Sequence, residues 1–180
     1  MTAHIISVPS TFEFSTCFHL FSSEANPEKF NSRLGNMLKY ANYGMVEFLR
    51  ITGPARELWK HVTVICDGVD MTKKLTDLHA INLIVLNIPS YSAGYQPYGT
   101  PPRGCSEFTE SRLSDRKFEV VACSQQQYAN VYLAKGTGQR IAQAKDIIIK
   151  IDHEMAGQID GEALNIQPTT IHIHHRNQLQ

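Results

Sequence analysis

Two carboxylates flanking a glycine, Asp160-Gly161-Glu162, form the tripeptide of this sequence best equipped for chemistry. On an extended backbone, residues at i and i+2 lie on the same side, and the glycine lets the chain turn or a ligand approach closely. Hard oxygen donors of this kind can hold Mg2+, and one of them can accept a proton from an attacking hydroxyl. An Asp-Gly hairpin turn has the same sequence, so the tripeptide alone leaves both readings open. His172, His174 and His175 form a second cluster. On a strand, His172 and His174 would share a face and could offer two imidazoles to a metal. No third ligand accompanies them, and a solvated edge strand reads the same way.

Three other groups carry weaker signals. Tyr91, Tyr95 and Tyr98 sit in one irregular stretch, where they could touch lipid headgroups or pack as a surface loop. Gly136-Thr137-Gly138 follows a predicted helix instead of opening one, so it lacks the geometry of a phosphate loop and reads as a helix stop. Lys29, Arg33, Lys39, Arg103, Arg112, Arg116 and Arg140 could meet phosphate, but they are scattered along the chain.

The elements that would position these residues are legible from periodicity. Asn26-Pro27-Glu28 is a helix start, with a cap residue, a proline at the first helical position and an acid in the first turn. Phe30, Leu34, Met37, Leu38 and Ala41 recur at helical spacing, which predicts a helix over 27–43 and a second piece over 45–52, ended by Gly53-Pro54. His61 to Cys66 is β-branched and strand-like, with a turn at Asp67-Gly68. Leu78 to Ile88 is a nearly continuous apolar run, which suggests a strand buried on both faces. Residues 89–104 hold four prolines, three glycines and three tyrosines, a long irregular segment. Phe118 to Cys123 reads as a strand and Gln125 to Lys135 as a short helix. Ile147 to Ile151 and Thr170 to His174 read as strands with a turn-rich stretch between them, and residues 1–25 show no clean period. The expected class is α+β, predominantly β: a β-sandwich-like domain with a helical insertion near the N-terminus.

Composition bounds the partners. Lysine plus arginine and aspartate plus glutamate are 17 each, so no overall field draws the chain to nucleic acid. With 42% hydrophobic and 19% charged residues, the 180-residue chain has the make-up of a folded domain. Cys17, Cys66, Cys105 and Cys123 form no C-x-x-C pair and read as free thiols of a reducing compartment. No segment has the length and apolarity of a membrane span, and Met1 to Leu20 lacks a basic region before its apolar residues, so a cytoplasmic chain is expected.

Taken in order, six segments resemble the accessory domain of the eukaryotic diacylglycerol kinases. Asn26 to Arg33 (NPEKFNSR) looks like the signature near the start of that domain, and Leu86 to Tyr91 (LNIPSY) is similar to its LNIPSYGGG segment. Glu119-Val-Val resembles its EVVG strand and Arg140-Ile-Ala-Gln143 its RLAQ element. Gln158 to Glu162 (QIDGE) resembles QVDGEPW, and His175-Arg-Asn-Gln178 the closing H-x-NQ. The likeness runs from about Phe18 to Gln178. Residues 1–17 stand where the family opens with a strand of the NYFSIGVDA type, Ala163-Leu164 replaces Pro-Trp, and Asp115-Arg116 stands where an Asp-Gly turn is usual.

The resemblance implies a division into an atypical segment, 1–17, and an accessory domain, 18–180. It implies a lipid kinase that moves the γ-phosphoryl group of ATP to the hydroxyl of diacylglycerol, with Mg2+ and ATP as cofactors. Asp160 is then the proton acceptor or metal-side carboxylate, Glu162 its partner at Mg·ATP, and Gly161 the residue that permits the turn beside the cofactor. Expected partners are diacylglycerol, a membrane surface bound peripherally, and the kinase's nucleotide-binding domain. The glycine-rich GGDGT motif of that domain does not occur in this sequence. The chain by itself is therefore expected to be inactive; the alternative is a truncated or splice-derived, non-catalytic binding module.

Overall fold

The computed structural model describes residues 5–8, 32, 57–91, 94–99, 107–127, 136–160 and 162–175. Along the chain these form β1 (Ile5–Val8), α1 (Leu58–His61), β2 (Val62–Cys66), β3 (Val69–Asp70), α2 (Thr72–Leu78), β4 (Asn82–Leu86) and β5 (Phe118–Cys123). There follow β6 (Gln139–Ala144), β7 (Asp146–Ile151), β8 (Met155–Ile159), β9 (Glu162–Ile166) and β10 (Thr169–His174). The chain is thus predominantly β, with two short helices among the described residues. The helices expected over 27–43 and 45–52 lie outside the described residues.

The strands make two antiparallel sheets. One is six-stranded in the order β6-β5-β4-β1-β8-β9, the other four-stranded in the order β10-β7-β2-β3. β2 shows why its sequence makes a strand: Val62, Val64 and Cys66 are buried while Thr63 and Ile65 are less so, the period of two that a one-sided strand requires. It turns back through Asp67-Gly68, both with positive φ (48° and 81°), the backbone demanded by a tight two-residue hairpin. The Asp67 carboxylate has a second task. Its Oδ1 accepts from the backbone N–H groups of Lys145 and Asp146 at 3.0 and 2.9 Å. Lys145 is the one residue between β6 and β7, so Asp67 anchors the corner where the chain passes from one sheet to the other.

β4 and β5 are buried along their whole lengths. Alternate residues serve two different clusters. Leu83, Val85, Phe118, Val120 and Ala122 join the larger core with Val62, Val64, Ile147, Ile149 and Ile151 of the other sheet. Ile84, Leu86, Val121 and Cys123 meet Tyr91 and Tyr98 on the opposite face. The apolar run expected to be one strand from Leu78 divides: Thr72–Leu78 is helical and His79 closes it in the left-handed region (φ 48°, ψ 53°). The strand begins only at Asn82, because the helix must cap and reverse before the chain can enter the sheet.

β1, β6, β8 and β9 are not expected from periodicity. β1 pairs with β4 on one side and β8 on the other, although residues 1–25 show no clean period. β6 pairs with β5 across a register shift at Val120/Val121. The turn-rich stretch after β7 is the hairpin β8–β9. A helical turn begins at residues 125–127, and the rest of the helix expected to residue 135 lies outside the described residues.

Candidate functional site

Asp160 stands at the tip of the β8–β9 hairpin. Ile159 pairs with Glu162, which leaves positions 160 and 161 as the loop. Asp160 has φ 53°, in the left-handed region that a two-residue hairpin turn requires of its first loop residue. The side chain is exposed. Asp160 and Glu162 are therefore not successive same-side residues of one extended strand: the chain reverses between them. Gly161 and the Glu162 side chain lie outside the described residues.

The sheet register shows what shares this end of the molecule. Ile159 pairs with Ile6, Ile6 with Val85, and Val85 with Val120. β8 and β4 run in the same direction, so the turn after Ile159 and the segment after Leu86 leave the sheet at the same end. Two strand spacings separate them, about 10 Å. That segment, Asn87 to Tyr91, then folds over the sheet. Tyr91 and Tyr95 exchange backbone hydrogen bonds of 2.6 and 2.8 Å, with Gly94 at φ 90° closing the loop between them.

The tyrosines are packed against the protein. Tyr91 and Tyr98 are buried on the sheet face formed by Ile84, Leu86 and Val121, and Tyr95 packs against the same cluster. Tyr91 and Tyr98 thus pack as the packed-loop reading expects, while Tyr95 is half-buried. The Tyr98 hydroxyl donates to the Pro89 carbonyl at 2.9 Å.

Beneath Tyr98 lies a buried charged cluster. The Arg140 guanidinium carbon is 4.3 Å from the centre of the Tyr98 ring. Its Nε is 3.2 Å from Glu119 Oε2, both side chains being at most 5% exposed, in an ion-pair contact not aligned as a hydrogen bond. Gln143, opposite Glu119 across β5 and β6, donates to Glu119 Oε1 at 2.8 Å. Burial holds the Glu119 carboxyl above its ordinary range, against the downward pull of the Gln143 hydrogen bond and the Arg140 charge. Gln143 also grips the segment before β5. Its Oε1 accepts from the Thr109 N–H at 2.8 Å and its Nε2 donates to the Thr109 carbonyl at 2.9 Å, which Arg140 Nη1 reaches at 3.0 Å.

The remaining sequence candidates take structural parts. Both oxygens of Asp115 accept backbone N–H groups, from Arg112 at 3.1 Å and Lys117 at 2.9 Å. Arg116 has φ 58°, the conformation a glycine would take there. His172 lies 2.7 Å from Asp146, with its ring 5.3 Å from that of His174. Among the described residues, no group of three His, Cys, Asp or Glu could hold a metal ion. Gly138 is a packing element ahead of β6, with its N–H donating to the Pro97 carbonyl at 2.7 Å. Of the scattered cations, Arg112 meets Glu110 at 3.1 Å and Arg140 meets Glu119. Lys29, Arg33, Lys39 and Arg103 lie outside the described residues. No described helix is long and apolar enough to cross a membrane.

The profile of the diacylglycerol kinase accessory domain matches residues 14–163. The chain belongs to the diacylglycerol kinase accessory-domain family. Curated relatives agree: the chain is 37% identical over 157 residues to human diacylglycerol kinase zeta and 38% identical over 157 residues to mouse diacylglycerol kinase iota. It is 35% identical over 152 residues to the eye-specific diacylglycerol kinase of Drosophila melanogaster. These alignments cover 87%, 87% and 83% of this chain, but only 16%, 15% and 10% of the relatives. No solved structure matches. Within the accessory domain, β2 to β8 fall inside the family match, whereas β1 and β10 lie outside it. The Glu119–Arg140–Gln143 cluster joins the EVV and RIAQ segments. Periodicity did not single it out, and the signal that could have done so is a charged residue inside each of two apolar strands.

Proposed function

We propose that this accessory domain forms one wall of a diacylglycerol kinase active site, at which the γ-phosphoryl group of ATP passes to the free hydroxyl of diacylglycerol to give phosphatidate. The observation that carries the reading is the exposed Asp160 carboxylate at the tip of a tight hairpin, inside the family match and at the same sheet end as the Asn87–Tyr91 segment. Asp160 accepts the hydroxyl proton as the new bond forms, or lies on the metal side of the transferred group. Glu162 is its partner at Mg·ATP, and Gly161 permits the turn that presents both.

The donor chemistry suits Mg2+, which takes one or two carboxylates and completes its shell with water and phosphate oxygens. Mg2+, when bound, supplies charge neutralisation to the phosphates. ATP itself is held by the nucleotide-binding domain, the principal partner in this reading, and nucleic acid has no part. Diacylglycerol resides in a bilayer, so the protein works peripherally at a membrane from the cytoplasm. We divide the chain into segment 1–17 and domain 18–180, and read the two sheets, which share one buried cluster, as a sandwich.

Asp160→Asn in the full-length kinase should lower turnover by roughly 10²-fold or more, the usual scale for a lost proton acceptor, with an unchanged melting temperature. Wild-type turnover in that variant would sink the assignment. One observation favours a second reading, a non-catalytic binding module. β1, which precedes the family match, fills the slot between β4 and β8. Under that reading, Asp160→Asn changes nothing.

A further inference from the structure

The buried Glu119–Arg140 pair lies on the opposite side of the sheet from the main core, where the desolvation of two charges offsets much of their attraction. Arg140 Nη2 is buried without a hydrogen-bond partner, and the Glu119 carboxylate meets the Ser111 side chain as well as Gln143, so the pair is not closed on itself. Its contacts lead outward instead. The guanidinium lies 4.3 Å from the centre of the Tyr98 ring, and the Tyr98 hydroxyl donates to the carbonyl of Pro89 at 2.9 Å and also meets the Ser111 side chain. Pro89 lies three residues beyond the end of β4, at the sheet end that also carries Asp160.

We propose that Tyr98, held from below by the Glu119–Arg140 pair, is a positioning residue that fixes the Asn87–Tyr91 segment beside the Asp160 hairpin for the kinase reaction. The inference rests on the reading of Asp160 given above. Tyr98 touches no reacting group. It acts through the Pro89 carbonyl, and so sets the shape of the wall next to the hairpin. A ring stacked on a buried guanidinium suits this role, because the planar cation and the aromatic face hold each other in one orientation. Gly138 lies close on β5, where a Cβ would meet Cys123 Sγ at 2.5 Å, and its N–H donates to the carbonyl of Pro97, the residue before Tyr98.

The test is Tyr98→Phe in the full-length kinase, which keeps the ring over Arg140 and removes only the hydroxyl. We expect kcat to fall by roughly ten- to a hundredfold, the scale of a small misplacement at a reacting site, with the KM for ATP and the melting temperature unchanged. Amide hydrogen exchange over residues 87–99 should quicken while that of β4 and β5 does not. Wild-type kcat overturns the proposal, and so does a loss of kcat with unaltered exchange over 87–99, since Tyr98 would then act by some route other than the Pro89 carbonyl. Asp160→Asn run beside it separates the two claims. If Asp160→Asn abolishes turnover and Tyr98→Phe does not, only the positioning role fails; if Asp160→Asn is fully active, the kinase-site reading fails first.

Discussion

Arg140 and Glu119 make opposite demands on their surroundings. Each charge loses its hydration on burial, and their mutual attraction repays that loss only with good geometry. The 3.2 Å contact is short, but it is not aligned as a hydrogen bond, and the raised Glu119 carboxyl indicates that desolvation outweighs the attraction. Arg140→Met alone should therefore cost about 3–5 kcal/mol, because Glu119 is left buried without its cation. The double variant Glu119→Leu/Arg140→Met should recover most of that loss, measured by urea denaturation. The pH dependence has a definite sign. A carboxyl raised in the fold contributes stability that is fully present below its ordinary value of 4.5 and is lost as pH rises through the folded pKa. Wild type should compare best with the double variant in acid and fall behind it as pH rises toward neutral. A difference that stays flat across that range would mean that Glu119 titrates in the fold as it does unfolded.

Among the elements, the strands that read most clearly in the sequence are those whose apolar pattern is continuous or strictly alternating. β5 and β7 are rich in β-branched side chains and are buried on alternate or all positions, so their periods show in the sequence. β6 was missed because Gln139, Arg140 and Gln143 interrupt its apolar pattern; tertiary pairing with Glu119 and Thr109 overrides local character there. The Asp160 hairpin was legible as a turn and as a family motif, but its two strands were hidden by Gly157, Gln158 and Asn165, residues of weak strand preference. The two corners closed by aspartates are similar in kind. At the β2–β3 turn, Asp67 both adopts a positive φ and accepts the N–H groups of Lys145 and Asp146. Asp67→Ala should destabilise the fold by about 2 kcal/mol, since two donors lose their acceptor at the only direct passage from β6 to β7. A thermal melt reads this directly. An unchanged transition would mean that water replaces the carboxylate without cost.

At the scale of the molecule, the proposed site depends on a strand that composition and period did not reveal. β1 is the only described strand joining β4, which carries the Asn87–Tyr91 segment, to β8, which carries Asp160. The two halves of the proposed wall are thus registered through Ile5–Val8, whose backbone pairs on both sides. Proline at such a position lacks a ladder N–H and cannot take the strand conformation freely. Ile6→Pro should then cost about 3 kcal/mol, in the range of single changes that break a central pairing. The loss should not be uniform. Amides of β8 and β9 should lose most of their protection from hydrogen exchange, because among the described residues it is Met155 and Ile166 that pack these strands against the larger core. Amides of β2, β7 and β10, in the other sheet, should keep theirs. If β8 and β9 remain as protected as the four-stranded sheet, the hairpin is held by its own packing, and the alignment of Asp160 with the Asn87–Tyr91 segment does not pass through β1.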